Sequence, residues 1–101
     1  MTTPLSDASR VLGERLRDER LKLGVSQEEI AHLAGLNVSN FGKIERGISN
    51  PTLHTIVRVA SVLDIDPGEL ITGLSSNYLP DKPETFTAID FVRERTARTA
   101  H

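Results

Sequence analysis

The chain has 101 residues, 38% of them hydrophobic and 26% charged, which suits one soluble globular domain with a modest core. It has no cysteine, so disulfide staples and thiolate metal sites are excluded and a reducing cytosol is the expected setting. A formal net charge of -2 argues against indiscriminate coating of nucleic acid. It does not exclude a local surface that reads it, because phosphate affinity depends on where cations and N–H groups point.

Met1 to Asp7 is polar and lacks the apolar stretch of an export signal, and no apolar run approaches a membrane span. A cytoplasmic location without a membrane partner is therefore expected. From about Ser6 to Leu23 the sequence predicts a helix, with Leu12, Leu16 and Leu23 on one stripe. Arg15, Arg17, Asp18, Glu19 and Lys22 lie mostly off that stripe, and Gly24 is the stop.

Ser26-Gln27-Glu28-Glu29 has the pattern of a capping box, flanked by Val25 and Ile30 as a hydrophobic staple. It opens a second helix that Gly35 ends after about two and a half turns. Asn37 is placed to cap a third helix, with Phe41 and Ile44 on its buried side and Gly47 at its end. Two short helices joined by Ala34-Gly35-Leu36-Asn37, with Leu36 turned inward, have helix-turn-helix spacing.

After the turn Ser49-Asn50-Pro51-Thr52 a fourth helix is expected to Leu63, with Leu53, Ile56, Val59, Ala60 and Leu63 as its stripe. Asp66 and Pro67 open a fifth, with Glu69 completing a capping-box pattern and Leu70 and Ile71 as its apolar residues. Residues 6–72 thus read as one all-α, five-helix domain. Residues 73–84 read as a Ser/Pro/Asn-rich linker and 85–101 as a C-terminal tail. Thr85 to Arg98 fits a sixth helix, with Thr87 and Asp90 as cap and partner, and Phe86 to Val92 also fits a short strand.

Leu16, Arg20, the run Val25 to Ala31, Leu33 to Leu36, Phe41, Lys43 to Gly47, Pro51 to Leu53, Ala60, Leu63 and Ile65 resemble the phage-repressor and Cro-like helix-turn-helix family, often called XRE. The resemblance covers about residues 9 to 72 without a gap. It implies a lambda-repressor-like domain whose third helix enters the major groove of double-stranded DNA. It also implies phosphate contact by Gln27, with Asn40 and Arg46 at other backbone-contacting positions, and a structural pair between Arg20 and Glu45 behind the DNA surface.

The residues point the same way. With Phe41 and Ile44 inside, Val38, Ser39, Gly42 and Lys43 fall on the solvent side of the third helix, a small flat face ending in a cation. Lys43 has the reach to donate to guanine O6 or N7, Val38 to pack on a thymine methyl, and Asn37 or Ser39 to bond a base edge or phosphate. Gly42 reads either as clearance for DNA or as drift at an exposed site, and Ser49 and Asn50 supply further donors in the following loop.

His32, His54 and His101 have no metal-site spacing, and no phosphate-binding glycine loop is present, so neither catalysis nor a cofactor is expected. One recognition helix reads too few base pairs to single out a genomic site, so a homodimer is expected. Val57, Val62, Ile71 and Leu74 are candidates for its surface, with Tyr78, Phe86, Ile89, Phe91 and Val92 as a further apolar reserve. The alternative for the tail is that it folds back over the chain's own core. The alternative functions are an antitoxin-type module that binds a protein partner, and a restriction-modification controller.

Overall fold

A computed structural model of the chain describes residues 3–81 and 86–99, and the described residues contain helices but no strand. The elements are α1 (Asp7–Leu23), α2 (Gln27–Ala34), α3 (Val38–Glu45), α4 (Leu53–Leu63), α5 (Pro67–Ile71), a single 3₁₀ turn (Ser76–Tyr78) and α6 (Ala88–Thr99). The all-α architecture agrees with the five helices and the tail helix expected from the sequence.

Local chemistry sets each boundary. Ser6, in extended conformation, accepts the Ser9 N–H at 3.0 Å and starts α1. Gly24, at φ 71°, ends it by donating its own N–H to the Arg20 and Leu21 carbonyls. Ser26 and Glu29 exchange hydrogen bonds of 3.0 and 2.9 Å across the first turn of α2. The Ser26 backbone N–H, with a smaller contribution from the Ser26 side chain, holds the Glu29 carboxyl below the usual carboxylate range. Asn37 caps α3 through Oδ1, which accepts from the Ser39 N–H at 2.8 Å. Thr52 does the same for α4 through Thr55. Asp64 ends α4 in the left-handed region at φ 58°.

In α5, Asp66 accepts from the Gly68 N–H at 2.8 Å. The expected capping box gives way to this Asx-type cap. Arg15 reaches across from α1 to donate to the Leu70 and Thr72 carbonyls at 3.1 and 2.7 Å, which satisfies the end of α5.

The core is built from Leu12, Leu16, Ile30, Ala31, Ala34, Phe41, Ile44, Val59, Ala60, Leu63 and Leu70, with Val25, Leu36, Ile56, Val62 and Ile65 packed at its edge. It draws α1 onto α3 and α5, and α2 onto α3 and α4. Phe41 has no exposed surface and sits at the centre. The small Ala31, Ala34 and Ala60 let α2 and α4 approach closely, and Phe41 and Ile44 anchor α3, so the eight-residue helices α2 and α3 are stabilised by tertiary packing that they could not supply alone.

Leu23 and Leu53, expected on buried stripes, are exposed at helix ends, and Ile71 is exposed beside the buried Leu70. Arg20 takes the inward position at the last turn of α1, one turn beyond Leu16. Val62, expected to be free for a partner, is partly buried on the core of its own chain.

The tail forms a helix, not a strand. Thr87 and Asp90 exchange hydrogen bonds of 3.1 Å at its start, and it runs from Ala88 to Thr99 with no buried residue. The described part of the tail therefore does not cover the core. Part of the expected linker, residues 82–84, and Thr85, where the sixth helix was expected to begin, lie outside the described residues, as do Met1 and His101. No described helix is long and apolar enough to cross a membrane.

Candidate nucleic-acid interface

Behind α3, Arg20 and Glu45 are joined by two parallel hydrogen bonds. Nε donates to Oε2 at 2.7 Å and Nη2 donates to Oε1 at 3.0 Å. The two side chains are 11% and 3% exposed. Arg20 also donates to the Val25 carbonyl at 3.0 Å, which ties the pair to the α1–α2 turn. The bonds to Glu45 raise the already high pKa of Arg20, against the opposing effect of desolvation.

A third partner joins this pair. The Gln27 Nε2 donates to Glu45 Oε1 at 2.8 Å, so the amide at the start of α2 is turned toward the end of α3. One of its two N–H groups is committed there. Hydrogen bonds thus fix the relative position of both helices of the helix-turn-helix.

On the opposite side of α3, Val38, Ser39, Asn40 and Lys43 are exposed, with Arg46 following at the helix end. Asn37 is exposed too, but its Oδ1 is occupied by the cap, which leaves its amide N–H groups facing outward. Ser49 is half-buried and Asn50 exposed in the loop that follows.

Gly42, expected on the open face, is buried. A Cβ placed there would lie 3.2 Å from the Arg46 Nη1 and 3.6 Å from the Gln27 Oε1. Those two side chains close over it, and its lack of a side chain leaves room for their packing.

Gly13, which no motif in the sequence marks, fixes the other face of α3. A Cβ at Gly13 would come within 2.4 Å of the Glu45 carbonyl oxygen and 2.5 Å of that of Ile44. Only glycine permits this approach of α1 to α3. A glycine inside an otherwise good helix was the available signal. The loop after α3 is held from below as well, because the Leu5 N–H donates to the Gly47 carbonyl at 2.9 Å.

Residues 16–70 match the family described as helix-turn-helix. The chain belongs to that family, in its phage-repressor type. The family is one of DNA-binding transcriptional regulators and is not enzymatic. Among curated relatives, an uncharacterized prophage-derived HTH-type transcriptional regulator of Bacillus subtilis (strain 168), YonR, is 30% identical over 77% of this chain and 76% of its own length. Among solved structures, the restriction-modification controller protein C.AhdI from Aeromonas hydrophila is 45% identical, with a TM-score of 0.60 over 61% of this chain and 94% of its own. The P22 c2 repressor in complex with a synthetic operator is 25% identical, with a TM-score of 0.59 over 63% of this chain and 97% of its own.

Among the described residues, no group of His, Asp and Glu is arranged to hold a metal ion. His32 and His54 are both exposed.

Proposed function

We propose that the protein is a sequence-specific transcriptional regulator that binds double-stranded DNA as a homodimer, with α3 in the major groove. The observation that carries this is the exposed arc of α3: small at Val38 and Ser39, cationic at Lys43, and held rigidly from behind by the Arg20–Glu45–Gln27 network. Small residues let a helix approach base edges, and a lysine reaches guanine acceptors. Asn37, Val38, Ser39 and Lys43 read bases. Gln27, through its remaining amide N–H, and Asn40, Arg46, Ser49 and Asn50 hold phosphates and set the register.

Residues 6–72 form the reading unit, 73–84 the linker and 85–101 the element that pairs two copies. Support for pairing comes from the tail. Phe86, Ile89, Phe91 and Val92 are all exposed, an apolar display that a monomer has no use for. Val57 and Ile71 add exposed apolar surface on the domain itself, and Leu74 and Tyr78 are half-buried between the two.

The test separates reading from positioning. Lys43→Ala is expected to change which bases are preferred, at about 1–3 kcal/mol for the affected position, while Gln27→Ala weakens all duplexes alike. Fluorescence anisotropy across a set of operator variants distinguishes them, and identical profiles for the two mutants would refute the role assignment.

The likeness to C.AhdI favours a second reading within the same class, a controller of restriction-modification genes. Under it, the operator selected in vitro recurs beside a methyltransferase gene.

A further inference from the structure

A cleft of about 290 Å³ opens where α1, the start of α2 and the end of α3 meet, lined by Arg17, Arg20, Gln27, Glu45 and Arg46. Glu45 offsets one of the three arginines, so the cleft carries surplus positive charge in a chain whose formal net charge is -2. The pairing within it is uneven. Arg20 commits its guanidinium to Glu45 and to the Val25 carbonyl. Arg17 and Arg46 are exposed and make no side-chain hydrogen bond or ion pair among the described residues.

Two unpaired guanidiniums facing one cleft select an anion with several oxygens. The position of the cleft narrows the choice further. Arg46 belongs both to its wall and to the end of the α3 arc, so an anion held there lies at the edge of the surface that faces bases. The missing side chain at Gly42 leaves the room in which Arg46 lies against Gln27.

We infer that Arg17 and Arg46 form a clamp on one DNA phosphodiester, on either side of Gln27. This rests on the DNA-binding reading above and adds Arg17, a residue that its place on α1 alone marks only as a solvated charge. Glu45 is a positioning residue: it draws Arg20 and the Gln27 amide inward, which leaves the mouth of the cleft to the two free arginines.

The experiment measures the affinity of the full chain for a selected duplex and for a random duplex over a series of salt concentrations. The variants are Arg17→Gln, Arg17→Lys and, as a control cation on the same helix, Lys22→Gln. Arg17→Gln is expected to weaken both duplexes by the same factor. It should also reduce the slope of log affinity against log salt by about 0.9 for each phosphate that is no longer neutralised. Arg17→Lys restores most of the slope, Lys22→Gln leaves it unchanged, and the melting temperature of Arg17→Gln matches the wild type.

An unchanged slope in Arg17→Gln, or an equal reduction in Lys22→Gln, overturns the clamp while leaving DNA binding intact. Competition by inorganic phosphate well beyond that of chloride at equal ionic strength overturns the assignment to a phosphodiester. Failure of the wild type to bind any duplex overturns the DNA-binding reading itself.

Discussion

Glu45 is the residue on which the most geometry depends. Its carboxylate, almost fully buried, accepts from Arg20 twice and from Gln27 once, so one side chain joins three helices. Removing one partner of a buried pair strands a desolvated charge, which typically costs about 3–5 kcal/mol. Arg20→Ala is expected at the low end of that range, since the neighbouring cleft admits water to the carboxylate. In a double-mutant cycle with Glu45→Ala, the coupling should clearly exceed the roughly 0.2–1 kcal/mol of an exposed pair. Chemical denaturation of the four proteins measures it, and zero coupling would remove the pair from the explanation of how α3 is held. Gly13 acts on the same helix through space instead of charge. Gly13→Ala gains up to about 1 kcal/mol in helix propensity but forces a methyl into two carbonyl oxygens. Overpacking of this kind costs about 1–3 kcal/mol, so a net loss of stability is expected, together with weaker operator binding as α3 shifts. A Gly13→Ala protein as stable as the wild type would show that α1 and α3 can separate without cost.

At the scale of elements, what makes α2 and α3 a helix-turn-helix is their brevity and the turn between them. Gly35, at φ 69°, stops α2, and the Leu36 N–H donates to the Ala31 carbonyl at 2.8 Å while its side chain packs at the core edge. Asn37 then caps α3 at once. These features were legible in the sequence because they are local: a capping serine or asparagine and a left-handed glycine act within four residues of themselves. The long-range features were less so. Periodicity placed Leu23 and Leu53 inward, but both sit in terminal turns where the core has already ended. It gave Arg20 no place on the buried stripe of Leu12 and Leu16, and only the family resemblance pairs it with Glu45. Gly42 was read as open because helical spacing puts it beside Val38 and Lys43. Its burial depends on Gln27, fifteen positions earlier in the chain, and on Arg46. Arg17 gave no local signal, since its partners in the cleft come from α2 and from the end of α3. The tail was ambiguous because Phe86, Ile89, Phe91 and Val92 fit both periods, and the Thr87–Asp90 cap resolves it as a helix.

For the whole molecule, the central question is how a reading unit of this size acquires enough specificity. Under the homodimer proposed above, two copies joined through their tails would double the bases read, and a helix with no buried residue and exposed Ile89, Phe91 and Val92 suits that joining. Truncation after Gly73 should therefore leave a folded protein, because every core residue among the described residues precedes that point. It is expected to be monomeric by light scattering and weaker on its operator. A truncated chain that is still dimeric and fully active would move the interface to Val57 and Ile71. The most direct measurement of the central claim is selection of binding sites from random duplex DNA, followed by hydroxyl-radical footprinting of the selected motif. A dimer that presents two copies of α3 should yield a near-palindrome, with two protected patches on one face of the duplex about 34 Å apart. A single asymmetric patch, or no motif enriched over random duplex, would contradict it.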